Sequence, residues 1–507
     1  MKIRHLLGAI CAGPLVTTVA HASPQLFADK WVEITPRQIT TGSNDTCIMT
    51  GIAIDPQNPS TLYVGNGPFN ADQGGLYKSE DGGSNWTRVA KITPAFSGAS
   101  DHIDQPVHVR IDPNDSKHLY VGDAVRGTSF GFFVSHDAGE SFEQPQGFKD
   151  ILKDAAIAIP DIYDVAVDPS NFDHILLSFH YPWGDGTTKY NNSAGILESR
   201  DGGTKWIVHD PVPGVSGAGQ SIKFLFSPDL TVGNSNTWLF GAQEGGYWRT
   251  ADAGKTWAQV SKTNITHGGS DIYYSKSGWL YTSGSETTLR SNVSNNGVTW
   301  EPIGPSTSST VGGDGDRLWT GKSFGGNSAM LISDDKDGAT WKDFNSQVFV
   351  DGPFAYAYDQ YYGILYSSNW SSGVWALKAN AGSGKIPPLT EPKPLPPVDP
   401  STGGSASGAS GSASSGTGSG SGNATSGASN SGGSTSVGTS SGSPSAGTPS
   451  GIAGSSTSNL VDMPSNAPSS GGCAACRVVG SSPSNWTAIT SSLAALALLR
   501  LRRRRAA

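Results

Sequence analysis

The stretch Ser79-Glu80-Asp81-Gly82-Gly83-Ser84-Asn85-Trp86 decides the fold, because close versions of it return along the chain. Each version has a hydroxyl residue, then Asp, Gly and an aromatic residue at fixed spacing. Ser and Asp side chains bond nearby backbone amides, Gly accepts positive φ, and the aromatic ring fills the gap between adjacent sheets. The repeat therefore predicts a series of tight β-hairpins. The close copies are 135–142, 199–206 and 250–257, and looser copies end at Trp300 and Trp341.

The pattern Ser/Thr-x-Asp-x-Gly-x-x-Trp/Phe resembles the Asp-box, or bacterial-neuraminidase repeat, of β-propellers. This resemblance implies an all-β ring of four-stranded blades. Strand-like runs open the blades, and their number predicts a seven-bladed β-propeller with Asp-box repeats. The run 31–34 is expected to complete the last blade and so remove an exposed sheet edge. The opening runs are 51–56, 107–113, 163–169, 222–228, 272–275, 316–320 and 354–358.

Composition divides the chain into four segments. Residues 1–22 have a basic start, an apolar run and Ala20-His21-Ala22, which predicts a secretory signal peptide. Residues 23–380 hold the propeller. Residues 381–470 are Pro-rich and then Ser/Gly-rich, which predicts a disordered linker that buries no core. We expect the mature protein to begin at Ser23.

Residues 471–507 combine Cys473-x-x-Cys476, a short apolar run and a terminal Arg cluster. Together these features resemble the C-terminal sorting tag of myxobacterial surface proteins. The resemblance implies a secreted protein displayed at the cell surface and attached to the outer membrane through its tail. The apolar run is short for a stable spanning helix. Any contact with a membrane is therefore expected only through this tail.

The charge balance argues against nucleic acid as a partner. The formal net charge is −8, charged residues make up 15% of the chain, and the repeats carry no basic face. The lone Cys47 is expected to be a small buried residue. The Cys473 and Cys476 pair lacks a second pair of zinc ligands, and 334–338 lacks the Glu of a calcium loop. We predict a monomer without metal or cofactor.

The loops before the innermost strands of a propeller line one mouth of its channel, so polar residues there are expected to converge. A carboxylate with a histidine beside it can act as an acid or a base. Asp104, Asp164 and His102 are the predicted catalytic residues, although loop aspartates often only bond backbone amides. Predicted substrate-binding residues are His267, Asp271 and Asp316. The remaining polar residues at these positions are Asp45, Asp161, Gln220, Asp314 and Asp351.

The segment His180-Tyr181-Pro182-Trp183 lies on a long insertion in the third blade. Aromatic rings on such a loop can stack on a sugar ring, although rings of this kind often only pack their own loop. His180, Tyr181 and Trp183 are therefore predicted to bind substrate.

The run 50–56 and the segment Asp72-Gln73-Gly74-Gly75 resemble the first blade of the two-propeller xyloglucan-degrading glycoside hydrolases. In those enzymes an Asp two residues before Gly-Gly is a catalytic carboxylate, and the resemblance implies that role for Asp72. Their second carboxylate lies on a second propeller, whereas this chain has repeats for one. A partner carboxylate is therefore expected within the same ring. The Arg triad of sialidases is missing, so sialic-acid hydrolysis is not expected.

These observations predict a surface-displayed glycoside hydrolase that acts on a polysaccharide through carboxylates at the channel mouth. Two alternatives remain open. A polysaccharide lyase would use a His/Tyr pair, with His102 or His180 as the base and Tyr181 as the acid. A non-catalytic adhesion module would bind a glycan or a protein without turnover.

Overall fold

The computed structural model describes residues 24–397 except 69–72, 94–99, 125–127, 184–192, 216–218, 228, 266–270, 286, 306–309, 322–327 and 335–336. The predicted signal peptide, the linker after Pro397 and the sorting tail lie outside these residues. So do two predicted site residues, Asp72 and His267.

Seven antiparallel sheets form a seven-bladed β-propeller, and the first strand of each blade lies at the channel. Each strand pairs with its predecessor in the chain, as hairpin-connected blades require. We call the end of the ring where the first strands begin the upper end. The turns between first and second strands, and the repeated turns between third and fourth strands, lie at the lower end.

Strand bounds by blade are as follows. Blade 1 has β2 (Met49–Ile54), β3 (Leu62–Asn66), β4 (Gly75–Ser79) and β5 (Thr87–Arg88). Blade 2 has β6 (Pro106–Asp112), β7 (Asp115–Asp123) and β8 (Gly131–Ser135). Blade 3 has β9 (Ile162–Asp168), β10 (Asn171–Phe179), β11 (Ile196–Ser199) and β12 (Ile207–His209). Blade 4 has β13 (Gln220–Phe226), β14 (Gly233–Ala242), β15 (Gly246–Thr250) and β16 (Ala258–Ser261). Blade 5 has β17 (Tyr273–Tyr274), β18 (Trp279–Gly284), β19 (Thr287–Asn292) and β20 (Glu301–Pro302). Blade 6 has β21 (Gly312–Gly313), β22 (Leu318–Gly321), β23 (Ser328–Ser333) and β24 (Lys342–Phe349). Blade 7 has β25 (Pro353–Asp359), β26 (Ile364–Asn369), β27 (Gly373–Lys378) and the N-terminal β1 (Val32–Glu33). The helix α1 (Gln146–Asp154) precedes blade 3.

The N-terminal strand closes the ring, as predicted. Val32 lies opposite Ala376 in the antiparallel pair of β1 and β27. Beyond β1, Ile34 packs in a core formed by residues of blades 7 and 1, and its carbonyl accepts a bond from Trp86 Nε1 at 2.7 Å. Gly83 has φ +94°, and a Cβ there would lie 2.7 Å from Ile34 Cδ1. Strand β1 therefore joins blade 7 to the repeated turn of blade 1.

The repeated turns share one set of hydrogen bonds. Ser79 Oγ donates to Asp81 Oδ1 at 2.9 Å and accepts from Gly83 N at 2.9 Å, and Asp81 Oδ1 accepts from Asn85 N. The same three bonds occur at the other close copies, where Ser135, Ser199 and Thr250 supply the hydroxyl. Each hydroxyl thus fixes its aspartate and two backbone amides at the lower end of a blade.

Blade 6 opens differently from the prediction. Its first strand is Gly312–Gly313, and the apolar run at 318–321 is the second strand. Asp314 lies in the turn between them and accepts bonds from the backbone amides of Asp316 and Arg317. Asp316 therefore lies at the lower end, and its placement at the upper mouth is wrong. Two glycines carry no apolar signal, so the sequence pattern indicates only the more apolar second strand.

The first residues of the predicted linker contact the ring. Residues 381–397 lie against the ring, where Lys393 N donates to Ser170 O at 2.8 Å. The Ser/Gly composition that cannot support contacts begins only at Ser401.

Cys47 is a free, fully buried thiol, as predicted. Burial raises its pKa to about 12. Within the described ranges, no helix has the length and apolarity needed to cross a bilayer.

Replacing Ser135 by Ala should lower the free energy of unfolding by about 1–2 kcal/mol, because its buried hydroxyl bonds Asp137 and the Gly139 amide. Ser141→Ala is the matched control, since its hydroxyl bonds the same aspartate from an exposed position and should cost under about 0.5 kcal/mol. Denaturant unfolding measures both. Equal losses would contradict the role of the first hydroxyl.

Candidate functional site

Five ionisable side chains from four consecutive blades meet in the channel. We call them the channel cluster: His108, Arg110, Asp164, Lys223 and Asp271. Lys223 Nζ lies 2.5 Å from Asp164 Oδ2 and 2.7 Å from Asp271 Oδ1. Arg110 Nη2 lies 3.5 Å from Asp164 and 3.8 Å from Asp271. The two carboxylates are thus bridged by two cations.

Strand geometry places these residues. Side chains two positions apart on a strand point to the same face, so β6 directs His108 and Arg110 together toward blade 3. Asp164 on β9 receives them and also accepts bonds from Ser221 Oγ at 2.7 Å and Ile222 N at 3.2 Å. Asp271 precedes β17 and reaches Lys223 from blade 5. The cluster therefore spans the inner strands of adjacent blades.

A cavity of about 340 Å³ lies beside the cluster within the channel. Arg110, Lys223 and Asp271 form its charged side, and Tyr273, Tyr356 and Pro169 of the lower turn of blade 3 are among its other lining residues. Its volume is near the lower end of the roughly 300–1,000 Å³ of small-molecule sites. Such a cavity suits a polar ligand that contains a ring, because the charged groups can bond its polar atoms and the aromatic side chains can pack against the ring.

The cluster is electrically balanced at neutral pH. Burial lowers the pKa of His108 to about 4. The negative charge of Asp164 opposes this shift, and the positive charges of Arg110 and Lys223 add to it. Burial alone would raise the pKa of both Asp164 and Asp271. Lys223, Arg110 and His108 together outweigh it, so the pKa of each carboxyl lies below its ordinary value. Two carboxylates and two cations then surround a neutral imidazole.

This balance limits the chemistry of the two aspartates. A carboxyl with a lowered pKa stays ionised and does not act as a proton donor. Asp164 is 1% exposed, whereas the Asp271 side chain is 37% exposed and lines the cavity. Asp271 is thus the member of the pair that a ligand in the cavity can touch, and Asp164 holds Lys223 and Ser221 in place.

Asp104 binds its own neighbouring loop. Its carboxylate accepts four bonds, from the backbone amides and the hydroxyls of Thr128 and Ser129. Ser129 Oγ also contacts Asp123 Oδ2 at 2.5 Å. Burial, with the nearby Asp104 adding to it, raises the pKa of Asp123 well above its ordinary value. The geometry shows Asp104 anchoring the loop between β7 and β8.

His102 pairs with its neighbour in sequence. Its Nδ1 lies 2.6 Å from Asp101 Oδ1, and the Asp101 side chain is 79% exposed. The hydrogen bond to His102, with the charge attraction of that ring, lowers the pKa of Asp101. The structure thus engages His102 with Asp101 and Asp104 with Ser129, while it brings Asp164 and Asp271 together.

A second polar group lies at the upper end of blade 3. His180 Nδ1 is 3.0 Å from Asp161 Oδ2, and the His180 ring stacks on Tyr163 with centroids 5.2 Å apart. Tyr181 is 43% exposed and meets the His180 ring edge-on. Trp183 is 5% exposed and packs edge-on against Phe179. Its indole is therefore part of the blade 3 core, in contrast to the stacking surface that the sequence predicted.

His108, Arg110 and Lys223 are not among the residues predicted from the sequence. The predicted residues come from the loops before the inner strands, whereas these three lie within the strands. The available signal was charge at alternate positions of apolar strands, as in Val107-His108-Val109-Arg110-Ile111. Such a residue faces either a neighbouring blade or the solvent, and the sequence does not distinguish these. Among the residues described, no group of three His, Cys, Asp or Glu side chains is placed to hold a metal ion.

Two known proteins are similar in sequence to part of this chain. No protein-family model matches the chain. The chain is 26% identical over 215 residues to an oligoxyloglucan-reducing end-specific xyloglucanase of Emericella nidulans, which covers 42% of this chain and 24% of that protein. It is 24% identical over 221 residues to a probable enzyme of the same name from Neosartorya fischeri, covering 42% and 23%. The chain thus matches about a quarter of the length of these relatives.

Solved structures show weaker likeness. An ancestral GH74 enzyme is 16% identical with a TM-score of 0.41, covering 66% of this chain and 47% of that one. The extracellular domain of a putative hybrid two-component system of B. thetaiotaomicron is 16% identical with a TM-score of 0.46, covering 67% and 40%. YCF48 from Cyanidioschyzon merolae is 16% identical with a TM-score of 0.33, covering 68% and 97%.

Stability should fall as the pH drops from about 6.5 toward 4, partly because of His108. The folded pKa lies below the unfolded one, so the unfolded chain takes up the proton first and the stability present above pH 6.5 is lost on acidification. His108→Gln should reduce this loss of unfolding free energy by on the order of 1–3 kcal/mol. Urea unfolding between pH 7.5 and 4.5 measures it. The exposed His136→Gln is the control, and identical slopes in the two variants would contradict the prediction.

Proposed function

We propose that the protein is a glycoside hydrolase that cleaves a polysaccharide of the xyloglucan class. The similarity to two xyloglucanases carries this proposal. The cavity beside the channel cluster supports it, because it combines ionised groups with tyrosine rings. The repeated turns, with their common hydrogen bonds, support assignment as Asp-box repeats.

Asp72 is proposed as the proton-donating carboxylate. It follows β3 and precedes β4, and the ends of these strands pair at the upper end through Asn66 and Gly75. The next residue is held firmly: Gln73 O accepts bonds from Asn66 Nδ2 at 2.9 Å and Tyr77 OH at 3.0 Å.

Asp271 is proposed as the ionised carboxylate. Glycoside hydrolysis uses one carboxyl that donates a proton and one that stays ionised as base or nucleophile. Lys223 and Arg110 hold the pKa of Asp271 low against the effect of burial, and its side chain lines the cavity. Asp104 and Asp164, proposed from the sequence as catalytic, then act as positioning residues for the loop and for Lys223.

A second candidate function is polysaccharide cleavage by elimination, as in a lyase. The polar group of His180, Asp161 and Tyr181 at the upper end of blade 3 favours it. A lyase removes the proton beside a uronate carboxyl with a base and protonates the leaving oxygen with an acid. The Asp161 contact orients the His180 ring, and the exposed Tyr181 lies against it. We keep this function as an alternative with its own test.

Secretion and display at the cell surface are also proposed, with polysaccharide as the partner. The basic and apolar N-terminal segment and the Cys/apolar/Arg tail support this location. A surface location suits a polymer that does not enter the cell.

The purified protein should release reducing ends from xyloglucan and its oligosaccharides without a rise in ultraviolet absorbance. Asp72→Asn and Asp271→Asn should each lower kcat by about 100-fold or more, because each removes a group that acts in the transition state. Asp316→Asn is the matched control, since its exposed side chain lies at the lower end. Full activity in both test variants would contradict the assignment.

If the lyase alternative holds, uronic-acid polymers should give products whose new double bond absorbs in the ultraviolet. His180→Gln should then abolish the absorbance, and Asp161→Asn should reduce it because the ring loses its orienting contact. His136→Gln serves as the control. Absence of absorbance on every uronate polymer would exclude this function, and glycan binding without any product would favour an adhesion module.

A further inference from the structure

A proline-rich segment crosses the lower end of the ring. We call residues 383–397 the strap. It begins at blade 7, where Ser383 N donates to Gln360 O at 2.7 Å. It then passes blades 1, 2 and 3 in order. Its contacts there are Gln57 Nε2 to Pro387 O at 3.3 Å, the Asn114 side chain to both backbone groups of Thr390 at 2.8 Å, Lys393 N to Ser170 O at 2.8 Å, Asn171 Nδ2 to Lys393 O at 3.1 Å, and Arg200 Nη2 to Pro396 O.

The contacts recur every third residue of the strap, at 387, 390, 393 and 396. Three residues per turn is the period of the polyproline II helix, whose rise of about 3.1 Å per residue puts successive contacts about 9 Å apart. Six of the thirteen residues from Lys385 to Pro397 are proline. This helix has no internal hydrogen bonds, so its backbone groups are available to the ring.

The ring presents its contacts through one repeated device. In each of blades 1, 2 and 3 the turn after the first strand reads Asp-Pro. The aspartate accepts a bond from the backbone amide two residues later, which is Gln57, Asn114 or Ser170. The same three residues bond the strap, and Asn171 and Arg200 add contacts under blade 3. Each Asp-Pro turn therefore sets at least one strap contact.

The site under blade 3 is supported from within the fold. Asp168 Oδ1 bonds Ser170 N, and its Oδ2 lies 3.0 Å from His174 Nδ1. His174 Nε2 lies 2.9 Å from Glu198, which also binds Arg200 at 3.0 Å. Arg200 in turn donates to Pro396 O. A buried polar network thus orients both ring groups that hold the end of the strap.

Apolar contact accompanies the hydrogen bonds. A cavity of about 260 Å³ lies between strap and ring, with Thr390 and Pro392 on one side and Pro113, Pro169 and Phe172 among the residues on the other. Grooves lined by aromatic residues commonly receive polyproline II segments.

We propose that the Asp-Pro turns of blades 1–3 form a binding track for a polyproline II segment, and that the strap of the same chain is its occupant. The track recognises the backbone of Thr390 and Lys393 together with the carbonyls of Pro387 and Pro396. Its occupancy places Pro397 under blade 3 at the lower end. Pro397 therefore lies at the end of the ring opposite Asp271. Of the residues of the proposed function, Arg110 borders the cavity under the strap, and the test below changes none of them.

Trypsin cleavage after Lys385 in the full-length protein tests the track. Thr390→Pro/Lys393→Pro keeps the strap in a polyproline II conformation but removes the two N–H donors, so cleavage should accelerate about tenfold or more over the wild type. Thr390→Ala/Lys393→Ala is the matched control, because both N–H groups remain, and it should be cleaved at the wild-type rate. Equal cleavage rates in the two double variants would overturn the proposal.

A ring-side variant and hydrogen exchange complete the test. Asn114→Ala should give the same acceleration, while the β6 and β7 amides keep their protection and so show an intact ring. In the wild type, the Thr390 and Lys393 amides should exchange more slowly than those of Leu389 and Glu391. Exchange of all four at the rate of a free 383–397 peptide would overturn the proposal. Protection that rises with protein concentration would instead assign the track to the strap of a second copy.

Discussion

The pairing of β1 with β27 is the contact on which the ring depends. It joins the first described strand to the last blade and covers an edge that would otherwise offer free backbone groups for aggregation. The residues after β1 extend the closure, because Ile34 packs in the core formed by residues of blades 7 and 1 and accepts a bond from Trp86. The chain therefore couples ring closure to a repeated turn, so that one segment secures two neighbouring blades.

Closure of the ring also explains how the five residues of the channel cluster meet, although they are spread over residues 108 to 271 of the chain. Adjacent inner strands face one another only in a complete ring, and the channel cluster uses strands from blades 2, 3 and 4 and the start of blade 5. Buried ions are stable only where partners offset their lost hydration. Lys223 lies between two carboxylates, so each blade presents a charge that its neighbour neutralises. This balance leaves Asp271 ionised and accessible while Asp164 is confined to a supporting position.

The fold was largely predictable because its signal is local and repeated. The hydroxyl, Asp and Gly of each turn satisfy one another within eight residues, and Trp31 to Ile34 read as a strand without a preceding turn. Blade 6 shows the limit, because Gly312 and Gly313 form a strand through pairing alone. The site was less predictable, since burial of Trp183 and convergence of Arg110 with Lys223 depend on neighbouring blades that lie far away in sequence.

The two ends of the ring place different demands on the same strands. At the lower end, the carboxylates of Asp55, Asp112 and Asp168 accept hydrogen bonds from backbone amides. These bonds fix the turns and leave few acceptor positions for a mobile ligand. At the upper end the loops are longer and carry side chains whose contacts reach across blades, as Asp271 does to Lys223. The strap bonds Gln57, Asn114, Ser170, Asn171 and Arg200, and none of these residues lines the cavity beside the channel cluster. Arg110, Val167 and Pro169 line both cavities, so the two sites share part of their lining. The seven blades supply the scaffold for both ends, and side chains that depart from the repeat in blades 2 to 5 supply the charged groups of the channel cluster.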